Sequence, residues 1–117
     1  MSKRLLSLYV RDIVESVEAI LDYTQGKVFE DFVRERMLQS AVIREFEIIG
    51  EAVAKLPEEL KEKYPNIVWQ DIKDFRNLLT HEYFGVDLEI VWNVIATDLP
   101  HLYEVIKNIE KKHSSVT

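Results

Sequence analysis

Four residues in one short stretch combine the groups that phosphate chemistry needs: Arg76, Asn77, His81 and Tyr83. An arginine grips a phosphoryl group through two parallel N–H donors and keeps its charge. A histidine titrates near neutral pH and trades protons as general acid or base. If the substrate carries its own nucleophile, as RNA does in its 2′-OH, this chemistry requires no metal. No metal-ligand spacing is visible in the sequence either; His81 beside Glu82 alone is not a site. A plainer reading explains the same residues as a solvated helix face. Arg76 would then pair with Asp74 or Glu82, and His81 would sit at a helix C-terminus, where a cation is favoured. Spacing alone favours the plainer reading.

The element that must carry these residues is a helix over about Val68–Tyr83, stopped by Gly85. At about 100° per residue, Val68, Ile72, Phe75, Leu78 and Leu79 gather on a side that should face the core. Lys73, Arg76, Asn77, Thr80 and His81 gather on the other, and Lys73 and Thr80 join the candidate contacts to substrate. Asn77 and His81 lie one turn apart, and Arg76 lies below Tyr83. Arg76 and His81 point about 140° apart on a regular helix. Three devices would bring them to one ligand: a swing of the long arginine, an unwound helix end, or a second subunit. We favour the first and third together.

The rest of the chain reads as scaffold for that helix. A first helix is expected over about Lys3–Tyr23, with Leu6, Tyr9, Val10, Ile13, Val17, Ile20 and Leu21 as its apolar stripe, ended by Gly26. A long second helix is expected over about Phe29–Lys55. Its seam of Leu38, Val42, Phe46, Ile49, Val53 and Leu56 is of bundle type, and Ala41, Ile48 and Ala52 form a smaller-residue face able to receive a neighbour closely. The segment from Pro57 to Pro65 reads as one helical turn and a corner. Asp87 caps a fourth helix. Asp98-Leu99-Pro100 either kinks that helix or begins a fifth, with Leu99, Leu102, Ile106 and Ile109 on its core face. No stretch alternates as a strand would. The fold class is all-α, an up-and-down bundle of four main helices plus short pieces. One domain over residues 1–112 is expected, with a disordered tail over 113–117.

Composition narrows the partners. The chain has 117 residues, 21 acidic and 15 basic, for a net charge of −6. That counts against a broad nucleic-acid binder, and no DNA partner is expected. It leaves room for a local phosphate site. There is no cysteine, hence no disulfide and no thiolate zinc site, which suits a reducing, cytoplasmic setting. No apolar run approaches the roughly 20 residues of a membrane span. No cofactor is expected. Trp69 and Trp92 are candidate stacking platforms, although Trp92 reads better as core. Glu47 and Glu51, four apart, lack the histidine partners of a bundle metal site.

The string Arg76-Asn77-Leu78-Leu79-Thr80-His81-Glu82-Tyr83 resembles the R-x4-H-x-Y motif of the HepT-like branch of the HEPN (higher eukaryote and prokaryote nucleotide-binding) superfamily. The resemblance extends in order and spacing to Ile49-Gly50-Glu51-Ala52, Leu56-Pro57, Tyr64-Pro65, Ile67 with Trp69, Tyr83-Phe84-Gly85-Val86-Asp87, Val91-Trp92 and Leu99-Pro100. It covers roughly Ser40 to Ile109.

The resemblance implies a HEPN-like helical bundle that forms homodimers, with the motif helices meeting at a cleft. It implies a metal-independent endoribonuclease acting on tRNA or mRNA, a toxin of a type VII-like toxin–antitoxin pair. Its antitoxin would be an MNT-type nucleotidyltransferase that AMPylates Tyr83, adding charge and bulk beside the site. Arg76 would bind the scissile phosphate and His81 would be the general acid/base. Asn77 would orient the phosphate or the imidazole. The expected product is a 2′,3′-cyclic phosphate end. The alternative is a non-catalytic HEPN dimer that binds a nucleotide or the nucleotidyltransferase; a purely structural dimer is a third reading. The acidic balance favours the second reading and the Arg76/His81 pair the first.

Overall fold

The computed structural model describes residues 1–81 and 85–114, with the side chain of Ser114 left out. All of its regular elements are helical. They are α1 (Lys3–Thr24), α2 (Phe29–Arg34), α3 (Arg36–Lys55), α4 (Glu58–Glu62), α5 (Trp69–His81), α6 (Leu88–Asn93), a π-helical turn (Val94–Asp98) and α7 (Leu99–Ser114). The all-α bundle expected from the periodicity is the fold observed.

α1 begins where the Ser2 hydroxyl accepts from the Leu5 N–H at 3.2 Å, satisfying one of the orphan donors of a helix start. It ends just before Gly26, whose φ of 74° only glycine adopts freely. Its face of Val10, Ile13, Val17 and Ile20 is fully buried. α1 packs on α3 and α7, and two polar ties fix it to α7. Arg11 bridges Glu110 at 3.0 Å, and Tyr103 donates to Glu18 at 2.7 Å. Burial pushes the Glu110 carboxyl up, but hydrogen bonds from Arg11 and Lys107 outweigh it and hold the group below the ordinary carboxylate range.

The long second helix is broken, contrary to the reading of Phe29–Lys55 as one element. Glu35, at φ −100° and ψ 92°, leaves the helical region between α2 and α3. The break is held by side chains. The Gln39 amide donates to the Phe32 and Val33 carbonyls at 2.9 and 3.0 Å, taking the place of the missing helical N–H groups. Lys27 grips the Glu35 carboxylate at 3.0 Å. The bend turns Phe32 into the core, where it stacks on Trp92 of α6 at 5.2 Å. The seam of Leu38, Val42, Phe46, Ile49, Val53 and Leu56 is buried throughout.

Asp87 caps α6 as expected, accepting from the Glu89 N–H at 2.9 Å. Pro100 lies in the first turn of α7, as the second of the two expectations had it, and α7 follows directly on the π-helical turn. The proline lacks an N–H, and the chain absorbs this as a π-helical turn in which the Leu99 N–H reaches the Val94 carbonyl. α7 then continues through His113 to Ser114. Leu99, Leu102, Ile106 and Ile109 face the core as predicted. No described helix is long and apolar enough to cross a membrane.

Candidate active site

α5 lies against α3, and the contact centres on a glycine. A Cβ at Gly50 would collide with Cβ and Cγ of Arg76. Gly50 thus admits the arginine stem to the surface of α3, one position before Glu51. Beside it, Phe46 and Phe75 meet edge to face at 5.1 Å and 88°, a favoured aromatic geometry. At the start of α5, the Trp69 indole N–H is shared between the Lys61 and Tyr64 carbonyls at 3.1 and 3.2 Å. This ties α5 to the preceding connection through the Trp69 side chain.

The α5 core face is shallower than the helical wheel suggests. Leu79 is fully buried, whereas Ile72, Phe75 and Leu78 are half-covered. Val68, placed on the core side by periodicity, precedes the first turn and is 61% exposed. α5 packs chiefly on α3, so one neighbour covers only part of its stripe. A groove of about 370 Å³ runs between α3, α5 and α7, walled by Phe46, Ile49, Ile72, Phe75, Leu99 and Leu102. Its walls are mostly apolar, with Asn66, Asp71, Asp98 and His101 also lining it, and it holds none of the described motif residues.

On the polar face, Arg76 keeps 35% of its side chain exposed. Its Nη1 donates to Asn77 Oδ1 at 3.3 Å and its Nη2 to Glu51 Oε1 at 3.4 Å. Among the described residues its Nε is buried without a hydrogen-bond partner. The structure joins Arg76 to Asn77 and to Glu51, not to Asp74, which accepts from Gln70 at 2.9 Å; Glu82, the other partner considered from sequence, lies outside the described residues. Thr80 is exposed, and its hydroxyl donates back to the Arg76 carbonyl at 3.0 Å. Lys73 is exposed and lines a separate shallow pocket with Glu58, Lys61 and Glu62. His81 stands exposed in the last turn of α5, about 140° around the helix from Arg76. Tyr83, the expected modification target, lies outside the described residues.

Sequence reasoning missed Glu51 as a partner of Arg76, having weighed it only as a metal ligand beside Glu47. The available signal was Gly50. A mid-helix glycine costs about 1 kcal/mol relative to alanine, and that cost points to a close backbone approach at this position. The small-residue face chosen from sequence, Ala41, Ile48 and Ala52, is not centred on that approach.

The family model described as ribonuclease HepT-like matches residues 13–109. A protein of Methanocaldococcus jannaschii named "Gamma-glutamylcyclotransferase and putative RNase" is 45% identical over 104 residues, 89% of this chain but 47% of that longer protein. The chain thus spans about half of that relative and almost all of the next two. A "Putative RNase" of the same organism is 38% identical over 114 residues, 94% of each chain. The "Probable ribonuclease HepT" of Thermococcus cleftensis is 39% identical over 103 residues, 88% of this chain and 94% of the other. No solved structure matches this chain. The family match runs from α1 into α7 and takes in α3 and α5 entire, so the chain belongs to the ribonuclease HepT-like family.

Proposed function

We propose that this chain is a metal-independent endoribonuclease, a toxin whose substrate supplies the nucleophile as its own 2′-OH. Arg76 binds the scissile phosphate and stabilises the charge that builds on its oxygens in the transition state. His81 takes the 2′-OH proton and returns one to the leaving oxygen. Asn77 orients the guanidinium, and Lys73 and Thr80 contact the flanking backbone. The observation that carries this reading is the anchored guanidinium: a half-buried arginine, braced by Asn77 and Glu51, within a family described as ribonuclease HepT-like. The names of the relatives point the same way.

Arg76 and His81 project about 140° apart on a regular helix, so bringing both to one phosphate needs a swing of the arginine or a second subunit. A homodimer in which each copy supplies one of the two groups resolves this. Tyr83 is the site at which an MNT-type nucleotidyltransferase antitoxin adds AMP, and the added phosphate opposes RNA binding at Arg76 by charge. The test is incubation of the pure chain with tRNA and short RNAs in EDTA. Fragments ending in 2′,3′-cyclic phosphate are expected; intact RNA would overturn the ribonuclease reading.

A non-catalytic dimer that binds nucleotide or the nucleotidyltransferase is the second reading. The net charge of −6 favours it, since an acidic chain repels long RNA.

A further inference from the structure

Glu51 lies on a different helix from the motif residues, yet it bears directly on how Arg76 is presented. An arginine carries five N–H donors in a fixed plane. The Nε–H of Arg76 is buried and, among the described residues, unpartnered. One bond from Nη1 goes sideways to Asn77, and one from Nη2 goes to Glu51. Each Nη has a second hydrogen, so among the described residues two donors are left for an incoming ligand. The stem beneath is confined by α3, because Gly50 leaves only the space of a missing side chain. The plane of the guanidinium is therefore fixed from three sides, two of them supplied by α3.

We propose that Gly50 and Glu51 are positioning residues that aim Arg76 at the scissile phosphate. Gly50 sets the depth of the stem, and Glu51 sets the rotation of the head group. The inference rests on the reading of Arg76 as the phosphate-binding group and adds two α3 residues to that site. The Glu51 pair is open to solvent, with side chains 35% and 56% exposed. Such pairs contribute little to stability, so the contact acts on geometry and persists while the remaining Nη donors take the phosphate. A small misplacement of a catalytic cation is costly to rate even when the fold is intact.

Glu51→Ala and Glu51→Gln separate geometry from charge. Both remove the negative charge, and only glutamine keeps an acceptor for Nη2. Glu51→Ala is expected to lower kcat for RNA cleavage on the order of tenfold with KM little changed. Glu51→Gln is expected to restore most of that loss. A second readout does not depend on activity. The Nε–H of Arg76, identified in a 15N NMR spectrum by its loss in Arg76→Lys, should exchange slowly with water in the wild type. It should exchange slowly in Glu51→Gln and fast in Glu51→Ala and Gly50→Ala. Unchanged exchange in Glu51→Ala, or tighter RNA binding with undiminished kcat in both Glu51 variants, would overturn the proposal. The latter would make Glu51 a mere competitor for Arg76. A wild type with a protected Nε–H that cleaves no RNA would overturn the ribonuclease reading and leave the positioning of Arg76 standing.

Discussion

Arg76 occupies the space where Gly50 would otherwise carry a side chain. The two residues lie 26 positions apart in sequence, yet the α3–α5 packing turns on their contact. In a solvent-exposed helix, Gly50→Ala would gain roughly 1 kcal/mol of helix propensity. Here the added methyl meets the rigid base of the arginine stem rather than its flexible end. Gly50→Ala is expected to lower stability by about 1–3 kcal/mol, the range for overpacking a close contact. Urea denaturation measures this, and a more stable variant would refute the packing argument.

Arg76→Lys keeps the charge and loses the planar fork. The bonds to Asn77 and Glu51 leave from different guanidinium nitrogens, and a lysine ammonium cannot make both while presenting two donors to a ligand. Cleavage by the variant is expected to fall about 10²-fold in single-turnover assays, with thermal unfolding close to wild type. Full activity in Arg76→Lys would mean that charge alone suffices at this position.

Gln39 holds the junction between α2 and α3 by donating to two carbonyls. Gln39→Ala leaves both carbonyls without that donor. A loss of about 1–2 kcal/mol is expected, with amide hydrogen exchange accelerated first in α2. Uniform acceleration across the whole chain would argue that the junction is not a local device.

The tie between α1 and α7 has a pH signature. Hydrogen bonds from Arg11 and Lys107 prevail over burial and keep Glu110 below the ordinary glutamate range. A carboxyl depressed in the folded state contributes stability that is present above its unfolded value and lost as pH falls through its folded value. Stability measured from about pH 6 down to about pH 3 should decline less steeply in Arg11→Ala than in wild type. Parallel profiles would show that Arg11 does not hold the carboxylate.

The parts of the fold legible in the sequence are those fixed by local chemistry. Asp87 caps its helix through its own side chain, Gly26 turns the chain, and the apolar stripes of α1 and α7 face the core in the expected register. What the sequence hid depends on partners distant along the chain or on unusual backbone. The break at Glu35 has no proline or glycine to mark it, and it needs Gln39 and Lys27 to hold it. The π-helical turn before Pro100 solves a missing N–H in a way that a regular 3.6-residue wheel does not represent. Val68 has apolar character but lies ahead of the first turn of α5, beyond the cover of α3. At the candidate site, the polar face of α5 was legible. The bracing of Arg76 from α3 was not, because Gly50 and Glu51 acquire that meaning only when α3 and α5 pack.

The most direct test compares wild type with His81→Ala on a defined RNA in EDTA under single-turnover conditions. His81 is exposed at the end of α5, so its removal should leave unfolding unchanged. The account predicts cyclic-phosphate ends from the wild type and a rate lowered by about 10²–10⁴-fold in the variant. A folded His81→Ala protein that cleaves as fast as wild type would contradict the assignment of this histidine as the general acid/base.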